Sequence, residues 1–241
     1  MREYVIAWEA FIVARRGHHF LEVPAIATAW QQLAFLREKP PTAKLAMPLE
    51  LLQLLTAELW AIIDSEGTAY PRGQLALRDI IALNISFFGL LRRSDLYNVK
   101  WAHLQCHPQY DFVLLDVPFS KSDRPAFTLD GTQQGRGTTL AIPLKTREDH
   151  NWSADMMTWH TLTKGQGAFL PAYDAKAKKV IWDRQLTPAG VAAILRNRTA
   201  AAVARGLLPT DLLHHIASHS IRREGASYLV ARGAEEWFIQ H

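Results

Sequence analysis

Cysteine is almost absent from this chain of 241 residues. The only one, Cys106, has no partner for an internal disulfide, which excludes a disulfide-stapled scaffold and favours a reducing compartment. Long apolar runs are missing as well. The stretch Ile80–Leu91 is broken by Asn84 and Ser86 and is too short to span a bilayer. The start of the chain carries Arg2, Glu3 and Glu9 where a signal peptide needs an unbroken apolar core. Internal repeats and low-complexity tracts are lacking too. The expectation is a soluble, intracellular protein with no membrane partner.

What is present supports a packed core. Hydrophobic residues make up 49% of the chain and charged residues 21%, enough apolar material for a core, and the length allows one large domain or one domain plus a partial second. The net charge of +4 and a pI near 9.3 permit a nucleic-acid partner but do not single one out, since many enzymes share them.

The hydrophobic period changes twice along the chain. Val5, Trp8, Phe11 and Ile12 recur at helical spacing, and a second helical stretch covers 23–37. Glu38-Lys39-Pro40-Pro41 is a stiff break. It predicts a boundary between a short helical segment, 1–44, and a main domain, 45–241. Helices are predicted over 48–64 and 74–90, with 67–73 as a loop and a shorter helix starting at Ser94. The runs 100–106, 112–118 and 138–143 are rich in Val, Ile, Leu, Trp and Phe and read as a small antiparallel sheet. Between the last two, Ser122–Gly137 reads as a long hairpin loop. Helices return over 154–163, from Thr187-Pro188 to about Arg205, and over 220–232. The fold class is therefore α+β, mainly α.

Three constellations carry chemistry. In Gly89-Leu90-Leu91-Arg92-Arg93-Ser94-Asp95-Leu96 a buried helix ends on two arginines and a new helix begins. A guanidinium held at such a junction suits a phosphate, although two solvated arginines at a helix C-terminus are the plainer reading. Lys121, in Pro118-Phe119-Ser120-Lys121-Ser122-Asp123, follows a predicted strand and is able to reach a DNA groove from a hairpin. Without context it is a loop lysine. His219-Ser220-Ile221-Arg222 places an imidazole and a guanidinium three residues apart on one helix face, able to converge on one phosphate. Other signals are weaker. His215 and His219 are four apart, with His214 adjacent, but no Glu or further ligand accompanies them in motif form, and Gly165-Gln166-Gly167 lacks the rest of a nucleotide fingerprint and reads as a turn.

Taken in order, with a small sheet between them, these residues resemble the tyrosine recombinase (phage-type integrase) family over about 45–241. Arg92-Arg93-Ser94-Asp95-Leu96 resembles its first arginine box, with Asp95 where Glu is usual. Ser120-Lys121-Ser122-Asp123 resembles its lysine hairpin, and His219-Ser220-Ile221-Arg222-Arg223-Glu224-Gly225-Ala226 resembles its His-x-x-Arg box. The leading segment resembles the end of the core-binding domain that precedes the catalytic domain in such enzymes.

The resemblance implies DNA breaking and rejoining without metal or nucleotide cofactor. In the family a tyrosine attacks the scissile phosphate and a 5′-oxygen leaves. Arg92 and Arg222 would hold the non-bridging oxygens, Lys121 would protonate the leaving oxygen, and His219 would handle a proton near the nucleophile. Asp95 would support the arginine beside it. Arg93, Arg124, Arg136, Arg196, Arg198 and Arg223 would neutralise flanking phosphates. The implied partners are double-stranded DNA and further recombinase protomers in a synaptic assembly.

Two departures stand out. The stretch from Lys121 to Ile142 is longer than the family's hairpin, and the family's closing His or Trp and its tyrosine would fall past His241. None of Tyr4, Tyr70, Tyr97, Tyr110, Tyr173 and Tyr228 fits the nucleophile's place. The chain is therefore expected to lack the nucleophile and to be inactive alone. The alternative is a non-catalytic DNA-binding remnant of a mobile element. A type IB topoisomerase relative and an unrelated helical interaction protein are more distant readings.

Overall fold

The computed structural model describes residues 47–106, 111–117, 126–127, 133–134, 138–146, 150–210, 213 and 218–232. All of them belong to the second of the chain's two units, Lys44–His241. The expected helices of the leading segment lie outside the described residues.

Two long antiparallel neighbours form the centre. Helix α1 (Leu49–Glu66) buries Leu51, Leu52, Leu55 and Leu59, a spacing of three and four that makes one apolar stripe. It stops at Gly67, whose φ of 75° favours glycine. Helix α2 (Pro71–Phe88) starts earlier than the sequence reading placed it, because Pro71 sits at the first helical position, where a missing N–H costs nothing. The turn between them is tight. A Cβ on Gly73 would come within 2.0 Å of the Gly67 carbonyl oxygen. From Ala76 to Phe88 every residue of α2 is buried, so this helix is the axis of the core.

Helix α3 (Arg93–Asn98) follows after a short turn. The run 100–106 is only partly strand. Trp101–His103 is a 3-10 turn held by the His103 N–H on the Lys100 carbonyl (2.9 Å), and β1 is Leu104–Cys106. β1 pairs antiparallel with β2 (Phe112–Val117), which pairs antiparallel with a later strand, Thr138–Pro143. Two short strands lie between these, β3 (Ala126–Phe127) and β4 (Gln133–Gln134), so Thr138–Pro143 is β5 and the expected loop is not all loop. Val113, Leu115 and Val117 turn one face of β2 into the core with the strand period of two.

Helix α4 (Ser153–Thr163) then leads to a hairpin that the sequence reading missed, β6 (Pro171–Asp174) and β7 (Lys179–Gln185). Helix α5 (Pro188–Ala204) opens where Thr187-Pro188 predicted, with the Thr187 hydroxyl accepting the Gly190 N–H. Helix α6 (Ser218–Ala231) closes the described part. The mainly helical α+β class is as expected from the sequence.

Polar groups tie this core together at two places. Asp79 on α2 is buried, and one carboxylate oxygen accepts from Arg78 (2.7 Å) while the other accepts twice from Arg198 on α5 (2.6 and 2.8 Å). Arg78 also donates to the Pro171 carbonyl of β6 (3.0 Å). Further along α2, the Asn84 amide donates to the Ile80 carbonyl. Its oxygen is thus left to accept, at 2.6 Å, from Nε2 of the buried His150. His150 lies beside the rings of Trp60 and Phe88. The Trp60 indole N–H in turn donates to both oxygens of Asp155 (3.0 Å each).

Burial pushes the Asp155 carboxyl up to about 6, against the opposing pull of that indole bond. A carboxyl whose folded-state pKa lies above its unfolded value holds its proton more tightly when folded. Its contribution is therefore complete below pH ~4 and is lost as pH rises to about 6. Asp155→Asn keeps an oxygen for Trp60 and removes the charge. It is expected to be more stable than the parent by on the order of 1–3 kcal/mol at pH 8, with the gain vanishing near pH 4. Burial lowers the His150 pKa, which has the opposite sign and costs stability below about pH 6.5. That cost is common to both proteins and cancels in the difference. Urea unfolding at the two pH values measures it.

Candidate phosphate-binding site

The site is built where α2 ends. The Gly89 N–H closes the last turn on the Ile85 carbonyl (2.9 Å), and Leu90 then adopts a left-handed backbone with φ 51°. For a leucine that conformation is strained and needs support from its surroundings. It turns the chain sharply, buries Leu91 and sets Arg92 as the residue that caps α3. Asp95, one turn into α3 and itself buried, accepts the Arg92 backbone N–H at 3.0 Å. The carboxylate thereby fixes the Arg92 backbone and places a negative charge at the helix start, where the dipole favours it.

Helix α6 docks directly on this turn. The Met47 N–H donates to the Ser220 carbonyl (3.2 Å), and Ser220 and Ile221 are buried. Gly225 makes the approach possible. A Cβ there would stand 2.1 Å from the Phe87 carbonyl oxygen and 2.8 Å from the Leu90 side chain. Glycine inside a helix costs about 1 kcal/mol against alanine, and here it lets α6 touch the backbone of α2. One turn further on, the Tyr228 ring packs 5.9 Å from both Phe87 and Phe88, with the Arg232 guanidinium 5.2 Å from its own ring centre.

This docking brings Arg222 within electrostatic reach of Arg92 and Asp95, although the two arginines stand 130 positions apart in sequence (222 − 92). Burial holds the Arg222 pKa below the usual guanidinium value, repulsion from Arg92 lowers it further, and Asp95 pulls it back up by less. No hydrogen bond or ion pair links the Arg222 guanidinium to another of the described residues. A half-buried arginine that feels a second arginine more than the nearby carboxylate of Asp95 is a place with planar cationic donors. The chemistry it suits is an oxyanion, above all a phosphate.

His219 stands three residues before Arg222 in α6, and its side chain lies outside the described residues. Lys121, Arg124 and Arg136 lie outside them as well. Arg93 on α3, Arg196 on α5 and Arg223 on α6 are exposed. Arg198 departs from the expectation. Its guanidinium is spent on buried Asp79, so it ties α5 to α2 and is removed from the set of phosphate contacts. The sequence reading also missed the roles of Gly225 and Leu90. A glycine inside a predicted helix is a weak signal for close approach, and a leucine in a left-handed turn gives none.

No protein-family model and no curated protein matches the chain. Among solved structures it is similar to the crystal structure of lambda integrase (residues 75–356) bound to DNA. That likeness has a TM-score of 0.39 and 13% sequence identity, and it covers 100% of this chain and 89% of the other. So remote a likeness leaves the argument with the residues themselves.

Proposed function

We propose that this protein binds double-stranded DNA and carries the phosphate grip of tyrosine-recombinase chemistry, the breaking and rejoining of DNA strands. The observation that supports this most is the pair Arg92 and Arg222, which come from two distant boxes and lie within electrostatic reach of each other, with Arg222 half-buried. In strand cleavage the phosphorus becomes pentacoordinate and its non-bridging oxygens gain charge. Two fixed guanidiniums stabilise that state more than the ground state, which is how electrostatic catalysis lowers a barrier. Asp95 fixes the Arg92 backbone. His219 would move a proton near the nucleophile, and Lys121 would donate one to the departing 5′-oxygen. Arg93, Arg196 and Arg223, with Arg124 and Arg136, would contact neighbouring phosphates. The chemistry needs no metal or nucleotide cofactor, and its setting is an intracellular assembly of several protomers on DNA.

One observation favours the second reading, a DNA-binding protein without cleavage. Tyr228, six positions past Arg222, is packed against Phe87 and Phe88. Its ring serves the α2–α6 contact.

Two measurements test these readings. Affinity for a mixed-sequence duplex should fall on the order of 10-fold or more between 50 and 200 mM salt, because phosphate contacts release counterions. No binding at low salt would sink both readings. Incubation with a nicked suicide duplex should then give no covalent protein–DNA band that depends on Tyr228. A band lost on Tyr228→Phe would overturn the packing role given to that residue.

A further inference from the structure

We propose that the β6–β7 hairpin is a second DNA-backbone contact, an arm whose exposed lysines grip phosphates at a distance from the Arg92–Arg222 centre. It rests on the reading of DNA as the partner. Between Asp174 and Arg184 the hairpin carries Lys176, Lys178, Lys179 and Arg184 against Asp174 and Asp183, four cations to two anions. All four cations are exposed. The turn 175–179 holds three lysines and no acid.

Three features separate this arm from an ordinary solvated loop. First, Asp174 is occupied. Its carboxylate accepts the backbone N–H groups of Lys176 (2.9 Å) and Ala177 (3.0 Å) and so shapes the turn. Second, Lys178 has a φ of 49°, the left-handed region in which glycine or asparagine costs least. A lysine there sets a charge at the tip against the local backbone preference. Third, the root of the arm is rigid. Arg78 donates to Pro171, the Leu170 N–H donates to the Gln185 side chain, and that side chain donates onward to the Leu96 carbonyl.

Leu96 lies on α3, one turn from Arg92, so the arm is rooted beside the candidate site. β7 has seven residues, and at about 3.3 Å each its tip stands roughly 20 Å from that root. Successive phosphates of one strand advance about 3.4 Å along the duplex axis. An arm lying along the duplex axis would thus place its tip about six phosphates from the centre, within the footprint of one protein on one duplex.

The test compares the parent chain with Lys176→Ala/Lys178→Ala/Lys179→Ala and with Arg222→Ala, each titrated against a 30-base-pair duplex over a range of salt. Removing up to three phosphate contacts should weaken binding about 10-fold and lower the salt slope by about 2–3. The corresponding Lys→Arg triple variant should restore both. Lys178→Gly guards against a folding artefact, since it relieves the backbone while removing the charge. It should melt no lower than the parent and still bind DNA more weakly. A triple variant with parental affinity and slope, beside an Arg222→Ala that loses binding, overturns the arm and leaves the DNA reading intact. A parent chain that binds no DNA at low salt overturns both. Loss in the triple variant with none in Arg222→Ala supports the arm and removes the arginine-centred site.

Discussion

Asp79→Ala is expected to destabilise the fold by on the order of 3–5 kcal/mol, a large share of what a domain of this size has to lose. The reason is the number of charges that depend on one carboxylate. Arg78 and Asp79 are nearly fully buried, with side chains 8% and 4% exposed, and Arg198 is 25% exposed. Removing the carboxylate leaves two guanidiniums facing each other in a low-dielectric interior. They repel, and neither recovers its water. The network also joins three elements, α2, α5 and β6, so its loss loosens their packing as well as their charge balance. Removing all three charges together should cost much less. Arg78→Met/Asp79→Leu/Arg198→Met replaces the ion network with apolar volume and strands only the Pro171 carbonyl, a penalty of about 1–3 kcal/mol. Urea unfolding of the single and triple variants measures the difference. A triple variant as unstable as Asp79→Ala would mean that packing volume, not charge pairing, dominates at this place.

The elements that were legible in the sequence share a property: their pattern is local. The stripe of Leu51, Leu52, Leu55 and Leu59 announces α1, the apolar run from Ala76 to Phe88 announces a buried helix, and Thr187-Pro188 announces α5 through cap chemistry. The alternation of Val113, Leu115 and Val117 does the same for the sheet. The β6–β7 hairpin escaped because β6 is short and β7 carries mixed signals. Lys179, Asp183 and Arg184 interrupt the apolar pattern, and the turn is closed by a lysine with positive φ where glycine would have marked it. Arg78 and Asp79 escaped for another reason. Adjacent opposite charges in an apolar run read as a solvated edge until a third charge, Arg198, arrives from more than a hundred positions away. The candidate site divides along the same line. Arg92, Asp95 and Arg222 were legible as chemistry, since the residue types and their order match a phosphate grip. What joins them is a backbone contact, Gly225 on Phe87 and Leu90, and the sequence holds no period that encodes it.

Arg92 and Arg222 should prove strongly coupled in DNA binding and only weakly so in stability. Each alone, changed to alanine, should weaken binding by about 10- to 100-fold, the loss of one or two charge-assisted hydrogen bonds at about 1.5–3 kcal/mol. If both guanidiniums grip the same phosphate, the first substitution already spoils the geometry for the second. The double variant should then bind little worse than the weaker single one, with a coupling of at least about 1 kcal/mol. Lysine should not rescue either position, because a point charge cannot reproduce the two-pronged contact. Stability should move the other way. Arg222 is half-buried and is repelled by Arg92 more than Asp95 attracts it, so Arg222→Ala relieves a strained charge in the DNA-free protein. It should leave the melting temperature equal or slightly raised at low salt. A phosphate-bearing ligand binds only the folded state, and at ten times its Kd it adds about 1.4 kcal/mol of stability. Inorganic phosphate should therefore raise the melting temperature of the parent and not of Arg222→Ala. Binding titrations on the four members of the cycle, with melts in phosphate and in chloride at equal ionic strength, decide the matter. Additive losses in affinity would mean that the two arginines hold different phosphates, and the single convergent site would have to be given up.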